Sequence, residues 1–390
     1  MFKRLKKWVN CFEQKVIESL NQETWVEPCF FSLSWFLLKI SCLYGGIVKL
    51  RLFLYEKKIF KAKKLSCFVI SIGNIVVGGT GKTPMTIYLA KLFKKMGKSV
   101  VVVSRGYKGK YKNKSAIVSD GNKIFLDALK AGDEPYMMAE KKAFPIVVGK
   151  KKFEAGKKAI KEFDPDVIVL DDGFSHVKLK RDIDLLLFDY FNPIGNAKFL
   201  PAGRLRENFS ISKKRATAII FTRCSLISEG KIKIKDEEKA KKVLEHYPNI
   251  PFFKTSYKYF VWRHIEKKKE TINNIKSLKD KKAILFSGLA DNKQFFISME
   301  KLDVNILCHI EFNDHYRYLD HDILKINDKS KKYQVDFILT TQKDYAKLNS
   351  SIKWEKDLIV IGIDIQFEYP EKFEEFLNLR LKSKTALSLQ

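Results

Sequence analysis

The fold of this chain is decided by residues 67–96, CFVISIGNIVVGGTGKTPMTIYLAKLFKKM. The apolar run Cys67–Ile72 predicts a buried strand, and Thr83–Met96 follow a helical pattern. A glycine-rich turn, VVGGTGKT, lies between them at residues 76–83. Its glycines let backbone N–H groups approach phosphate oxygens without a Cβ in the way, and the new helix adds its own free N–H groups. The order of strand, glycine loop and helix therefore predicts a phosphate-binding loop.

Each position of this loop is assigned to the binding of ATP phosphates. The residues are Val76, Val77, Gly78, Gly79, Thr80, Gly81, Lys82 and Thr83. Within the set, Lys82 can reach the β- and γ-phosphates and Thr83 can place its hydroxyl on Mg²⁺. The usual pattern has a glycine where this chain has Val76, so a glycine-rich turn without a ligand is the alternative.

The remainder of the chain alternates strands and helices, which predicts an α/β fold. Short apolar runs rich in Val, Ile and Leu are typical of a parallel sheet buried on both faces. They occur at Val100–Val103, Ile146–Val148, Val167–Leu170, Ile183–Phe188 and Ala218–Phe221. We expect a P-loop NTPase-like, doubly wound sheet over residues 65–225. A second series predicts a smaller α/β domain over residues 226–390, with strands at Pro251–Trp262, Ala283–Phe286, Ile306–Ile310, Phe337–Thr340 and Leu358–Ile363.

The formal net charge of +29 indicates anionic partners, such as nucleic acid, an acidic membrane surface or phosphorylated ligands. Lysines spread over a solvated surface are the alternative reading. The common nucleic-acid-binding signatures are missing from the sequence, so we expect no nucleic-acid partner. The 6 cysteines form no CxxC pair, which favours reduced thiols over a zinc site.

The first 64 residues predict a membrane-associated helical segment. Met1–Leu20 mix lysines with large apolar residues, as in a basic amphipathic helix. The apolar stretch Cys29–Tyr55 follows, interrupted by Lys39, Lys49 and Arg51. Its charge-free runs are shorter than the roughly 20 residues that span a bilayer. A helix lying in the membrane interface fits best, with packing on the protein core and a single transmembrane anchor as alternatives.

Polar motifs follow several of the predicted strands, at the edge where open α/β sheets build their sites. Asp171 and Asp172 come directly after a buried strand, where nucleotide-binding proteins hold the acid that orders Mg²⁺. Three further motifs are SRGYKG (104–109), AGDEP (131–135) and PAGRLRE (201–207). Taken singly, each is also compatible with turn chemistry and a surface ion pair.

Together these motifs resemble the tetraacyldisaccharide 4′-kinase (lipid A 4′-kinase) family of Gram-negative bacteria. The matching segments, in order, are GNIVVGGTGKTP (73–84), SRGY (104–107), GDEP (132–135), LDDGFSH (170–176), RDIDLLLFD (181–189), PAGRLRE (201–207), FNDHYRY (312–318) and TTQKD (340–344). The family's loop also lacks the first glycine. The resemblance implies transfer of the ATP γ-phosphate, with Mg²⁺, to the 4′-hydroxyl of an acylated disaccharide 1-phosphate lipid, which gives lipid IVA. It also implies work at the cytoplasmic face of the inner membrane, and no obligate protein partner is evident.

The resemblance also implies roles for single residues. Asp133 is the expected base at the sugar hydroxyl and His315 its partner, with Lys82 as the third catalytic residue. His315 lies in the predicted second domain, so we expect domain closure to assemble the site. The metal set is Thr83, Asp171, Asp172 and Glu207; the substrate and phosphate set is Arg105, Glu134, His176 and Arg206. Two positions depart from the family pattern: Ser175 replaces a common Gln, and Gln342 replaces the acid of a TEKD motif.

Overall fold

The structure is a computed structural model that describes residues 16–20, 27–224, 234–265, 274–348 and 352–388. Residues 16–20 are helical. The rest of the predicted amphipathic helix, residues 1–15, lies outside the described residues.

The described residues form an alternating series of strands and helices. The strands are β1 (Phe68–Gly73), β2 (Val100–Ser104), β3 (Ser115–Asp120), β4 (Pro145–Gly149), β5 (Val167–Leu170), β6 (Ile183–Asp189), β7 (Ala218–Thr222), β8 (Phe252–Ile265), β9 (Lys282–Ser287), β10 (Asn305–Glu311), β11 (Phe337–Thr341) and β12 (Asp357–Phe367). The helices are α1 (Leu33–Glu56), α2 (Lys82–Lys95), α3 (Ala128–Ala131), α4 (Asp133–Ala139), α5 (Lys152–Phe163), α6 (Phe209–Ser212), α7 (Ile234–Glu245), α8 (Asn292–Glu300), α9 (Asp320–Lys332), α10 (Gln342–Tyr345) and α11 (Pro370–Ser388), with a 3-10 turn at Ile275–Leu278.

The chain divides into two compact units that alternate along the sequence. Unit 1 comprises Met1–Thr86, Pro165–Ser256 and Gln366–Gln390, and unit 2 comprises Ile87–Asp164 and Tyr257–Ile365. The division predicted from sequence was linear, with boundaries near residues 65 and 225. It stays a prediction about domains, and the two compact units are described separately below.

Unit 1 is built on a parallel sheet in the order β5-β1-β6-β7-β8. All residues of β1, β5, β6 and β7 are buried, because both faces of these strands are covered. One apolar cluster joins the sheet to α7 through Phe188, Phe221, Val243 and Tyr247. The predicted P-loop NTPase-like parallel α/β fold is confirmed, and the predicted bounds of β1, β5, β6 and β7 each lie within one residue of the observed ones.

Unit 2 contains a parallel sheet in the order β10-β9-β11-β12. Alternate residues of β9 enter opposite cores: Ala283 and Leu285 pack on one face, and Ile284 and Phe286 on the other. In the same unit β2 pairs with β4 in parallel, and β3 pairs with β4 antiparallel. The sequence interpretation missed β3, whose outer residues are only half-buried and carry a weak apolar signal.

Helix α1 has a packed face and an exposed face. It begins after Ser32, whose hydroxyl accepts a hydrogen bond from the Trp35 N–H. Leu37, Ser41, Gly45 and Leu52 are buried, and a Cβ on Gly45 would lie 2.8 Å from the Phe199 ring. The opposite side exposes an apolar stripe with spacings of four and three residues: Phe36, Ile40, Leu43, Ile47 and Leu50. Within the described part of the chain, the helices all lack the combination of length and apolar content needed to cross a membrane.

Candidate active site

The phosphate loop of unit 1 is braced by the PAGRLRE segment. Val77 N–H donates to the Arg204 carbonyl at 2.8 Å, and Arg206 N–H donates to the Ile75 carbonyl at 2.7 Å. The Arg204 Nε–H donates a hydrogen bond to the Val77 carbonyl at 2.9 Å. Gly78 has φ +125°, and a Cβ there would overlap the end of the Arg204 side chain. The backbone at Gly78 is therefore strained for any other residue, and a side chain there would displace the Arg204 guanidinium.

Thr80 lies inside the loop and fixes its shape rather than facing solvent. Its hydroxyl accepts a hydrogen bond from the Asn74 amide at 2.9 Å, and its carbonyl accepts one from the Thr222 hydroxyl at 3.2 Å. These contacts tie the loop to the ends of β1 and β7. The sequence interpretation gave no role to Asn74 or Thr222, because bracing contacts of this kind carry no spacing signal.

Two cations of unit 1 converge on one carboxylate. Asp172 Oδ1 lies 4.0 Å from Lys82 Nζ and 3.5 Å from Arg206 Nη1. Asp172 adopts a left-handed backbone, with φ +49°, directly after β5. Gly173 follows, where a Cβ would lie 2.5 Å from the Ser71 hydroxyl on β1. The predicted ATP residue Lys82, the predicted phosphate residue Arg206 and the predicted metal residue Asp172 are thus brought together at the carboxyl end of the sheet.

Asp171 lies deeper than Asp172. It is 3 % exposed and accepts a hydrogen bond from the Thr86 hydroxyl at 3.3 Å. Thr83, also buried, lies one turn earlier on the same helix. Among the described residues, His, Cys, Asp and Glu form no group of three or more that could hold a metal by itself. One or two carboxylates with a hydroxyl fit Mg²⁺, which completes its octahedral shell with nucleotide phosphates and water.

Glu207 is held by a buried ion pair. Its carboxylate accepts a hydrogen bond from the Arg215 guanidinium, which also donates to the Phe174 carbonyl at 2.7 Å. The guanidinium carbon lies 4.2 Å from the Phe174 ring centre. Burial raises the pKa of Glu207, and Arg215 opposes that rise. Glu207 supports the Phe174 turn in this arrangement, and its assignment to the metal stays a prediction.

Unit 2 brings the predicted base and its partner together. Asp133 Oδ2 lies 3.3 Å from His315 Nδ1, and both side chains are partly exposed. Asp133 begins α4 after Gly132, which has φ +91° and whose Cβ would lie 2.6 Å from the Tyr107 carbonyl. The glycine of GDEP therefore permits the close approach of the two loops. Both members of the pair belong to unit 2, so the pair is formed within one compact unit.

Charged groups surround this pair. Asp314 Oδ2 lies 3.8 Å from His315 Nε2, and Lys343 Nζ lies 2.8 Å from Asp314 Oδ1 and 4.0 Å from Glu134 Oε1. Burial lowers the pKa of Lys343, but the two acids outweigh it and the net pKa is raised. Burial raises the pKa of Asp314, yet Lys343 brings the net pKa below its ordinary value. The Tyr107 ring lies 5.3 Å from the His315 ring.

Two further predicted substrate residues follow the carboxyl ends of β2 and β5. Arg105 follows β2, is exposed, and its carbonyl accepts a hydrogen bond from the Tyr111 hydroxyl at 3.0 Å. His176 lies in the turn after β5, where its carbonyl accepts a hydrogen bond from Arg181 at 3.1 Å. Their assignments to substrate stay predictions. Asp314 and Lys343 were missed, although both follow the carboxyl ends of parallel strands, which was the available signal.

The sheet of unit 1 has a glycine-rich loop after β1, two acids after the neighbouring strand β5, and cations beside those acids. This arrangement defines a nucleotide-binding protein of the P-loop class. Comparison with known proteins narrows the class. The model of the LpxK family, tetraacyldisaccharide-1-P 4′-kinase, matches residues 33–382. The chain belongs to this family.

Individual members of the same family are similar to the chain over most of its length. The chain is 37 % identical over 350 residues to the tetraacyldisaccharide 4′-kinase of Desulfatibacillum aliphaticivorans, covering 88 % of this chain and 91 % of that protein. It is 38 % identical over 324 residues to the enzyme of the same name from Desulfotalea psychrophila, covering 82 % and 88 %. Among solved structures, LpxK from Aquifex aeolicus in complex with ATP superposes with a TM-score of 0.68 at 31 % identity, covering 90 % of this chain and 100 % of that one.

Proposed function

We propose that this chain transfers the γ-phosphate of ATP to the 4′-hydroxyl of a tetraacyldisaccharide 1-phosphate, in lipid A biosynthesis. The observation that carries this proposal is the Asp133–His315 pair in a protein that also holds a braced phosphate loop. An acid joined to an imidazole is suited to take a proton from a sugar hydroxyl near neutral pH.

In the proposed reaction, Asp133 accepts the hydroxyl proton while the sugar oxygen attacks the γ-phosphorus. The new O–P bond forms as the bond from phosphorus to the β,γ-bridging oxygen breaks, and ADP leaves with the electron pair. His315 Nδ1 holds the carboxylate of Asp133 in place and shares the proton. Because charge spreads over the transferring phosphoryl oxygens, positioning and cations supply most of the acceleration.

The nucleotide is assigned to the loop residues and to the cations beside them. In this proposal the loop N–H groups, Lys82 and Arg206 contact phosphate oxygens. The two cations already lie together beside Asp172, which supports the assignment. Thr83, Asp171 and Asp172 would hold Mg²⁺, with Glu207 as a further candidate. When bound, Mg²⁺ would neutralise negative charge on the β- and γ-phosphate oxygens.

The exposed stripe of α1 is assigned to the surface of the inner membrane, on its cytoplasmic face. Exposed cations Lys39, Lys49 and Arg51 flank the apolar stripe, as in helices that lie in an anionic lipid interface. The other face of α1 is fastened to the segment that braces the phosphate loop, since the Tyr44 hydroxyl donates to the Arg206 carbonyl at 3.3 Å. A lipid substrate gives a reason for such a surface on a kinase.

The test is transfer of labelled γ-phosphate from Mg·ATP to a tetraacyldisaccharide 1-phosphate dispersed in detergent. We expect label on the lipid with the unaltered chain and none with Lys82→Ala. Asp133→Asn should reduce transfer by about 10²–10⁴-fold, the range for a general base, while ATP binding is retained. Asp328→Asn, an exposed acid on α9, is the matched control and should leave transfer unchanged.

Two results would contradict the proposal. Hydrolysis of ATP without label on the lipid would favour a membrane-linked ATPase instead. Loss of ATP affinity in Asp133→Asn would place Asp133 in nucleotide binding and remove it from the role of base.

A further inference from the structure

The segment Thr340–Asp344 has no role in the chemistry described so far, yet it is rigidly anchored. Asp344 is fully buried and accepts hydrogen bonds from the Gly288 N–H at 3.1 Å and from Lys347 Nζ at 2.8 Å. The Thr341 hydroxyl donates to Asp344 Oδ2 at 2.7 Å and accepts from the Asp344 N–H at 3.1 Å, which caps α10. The position of α10 in unit 2 is therefore set by buried contacts on one side.

On its other side, α10 contacts the two segments that carry the proposed base pair. Lys343 bridges Glu134, the residue after Asp133, and Asp314, the residue before His315. A single ammonium group thus joins both backbone neighbours of the pair. Its side chain is 19 % exposed, so the charges are only partly screened by solvent.

Neighbouring residues of α10 hold the far end of α4. Gln342 accepts a hydrogen bond from Lys141, two residues past that helix, at 3.0 Å. The Tyr345 hydroxyl accepts one from Arg263 at 2.9 Å, and Arg263 lies 3.8 Å from Glu140. Since α4 is held at both ends from α10, Asp133 at its first position has little freedom to move.

We propose that Lys343 is a positioning residue for the Asp133–His315 pair. By bridging Glu134 and Asp314, it keeps the side chains of the pair close to each other and offsets the negative charge around the pair. This inference rests on the proposed function, because it assigns Lys343 a role in that proton transfer.

The charge balance around the pair gives the inference a pH signature. The titratable and charged groups that face the pair or its bridge come from α4, the β2–β3 and β10–α9 loops, and α10 with its following turn: Tyr107, Asp133, Glu134, Asp314, His315, Lys343, Asp344 and Lys347. Lys343 is the largest cationic influence on Asp314, ahead of His315 and Lys347, so removing its charge makes the surroundings of the pair more negative. Negative charge beside a proton acceptor favours its protonated form, so we expect the variant to need a higher pH for transfer.

The experiment compares pH profiles of kcat for lipid phosphorylation in Lys343→Met, Lys343→Arg and the unaltered chain. In Lys343→Met we expect the acidic limb to move up by about half a pH unit or more, with kcat reduced and the KM for ATP unchanged. Lys343→Arg keeps the charge and should retain the original limb. Lys325→Met, an exposed lysine on α9, is the matched control.

A second variant separates charge from folding. In Lys343→Met combined with Asp314→Asn, both partners of the closer bridge are neutral, so the acidic limb should return toward its original position. A limb that stays unmoved in Lys343→Met, or that is not restored in the double variant, would overturn the inference. Failure of the proposed function has a different signature, namely no labelled lipid with the unaltered chain or full transfer by Asp133→Asn.

Discussion

Replacing three residues of the α1 stripe, Leu43, Ile47 and Leu50, with Gln should detach the chain from membranes. Their exposed fractions are 67 %, 60 % and 59 %. Full burial of such a side chain contributes about 2 kcal/mol, so covering the exposed part of each with lipid contributes about 1.2 kcal/mol. The three together give about 4 kcal/mol, which is a loss of partitioning on the order of 10³-fold.

The assay is sedimentation with vesicles of phosphatidylethanolamine and phosphatidylglycerol over a range of lipid concentrations. A control chain carries Gln at three exposed leucines outside α1, Leu129, Leu324 and Leu379, and should bind as the unaltered chain does. Phosphorylation of detergent-dispersed lipid should be preserved in both variants, because the buried face of α1 is intact. Equal vesicle binding by the stripe variant and the control would refute the assignment of the stripe to the membrane.

Two further predictions concern unit 1. Arg215→Met should reduce the free energy of unfolding by about 3–5 kcal/mol at pH 7, because Glu207 is left buried and unpaired. A carboxyl group whose pKa is raised in the folded state, such as Glu207, favours folding at low pH. In urea unfolding, the loss of stability in Arg215→Met should therefore shrink as the pH falls toward about 4. A small loss of stability at pH 7 would argue against the prediction. Gly78→Ala should raise the Kd for ATP roughly tenfold, because φ +125° is strained for alanine by about 1–3 kcal/mol and the new Cβ displaces Arg204. Gly97→Ala, at φ +75° with open space around it, is the comparison that should leave ATP affinity unchanged in a binding titration.

The strands β1, β5, β6, β7 and β11 were predictable from sequence because all of their residues are buried. Val167–Leu170 was predicted with the observed bounds, since it is one unbroken apolar run. The strand β3 was missed because Ser115, Ala116 and Ile117 are only half-buried at their positions. Apolar periodicity reports burial, so an element that is little buried gives little signal.

The site was predictable to a smaller extent. The order of motifs, through the family resemblance, predicted Asp133 and His315 as partners although 182 residues separate them, and the structure has them 3.3 Å apart. The contacts of Lys343 and Gln342 depend on which side chains lie opposite them in space. Position 342, where the family commonly has an acid, contacts Lys141, whose pKa is lowered to about 8, chiefly by burial. Such a pairing follows from tertiary packing and has no local pattern.

The same solution to placing polar groups is used in both units. Acids and bases follow the carboxyl ends of parallel strands: Asp171 after β5 in unit 1, and His315 and Lys343 after β10 and β11 in unit 2. Every side chain of β5 and β11 is buried, so an unpaired charge inside either strand would cost several kcal/mol. Past the strand ends the backbone is free to turn, and glycines let neighbouring turns touch. Gly73 packs against Phe174 where a Cβ would overlap it, and Gly132 does the same against Tyr107. Gly73 and Gly132 thus allow turns that border Asp172 and Asp133, each within its own unit, to pack closely, which is a structural reason for a glycine in the GNIVVGG and GDEP motifs.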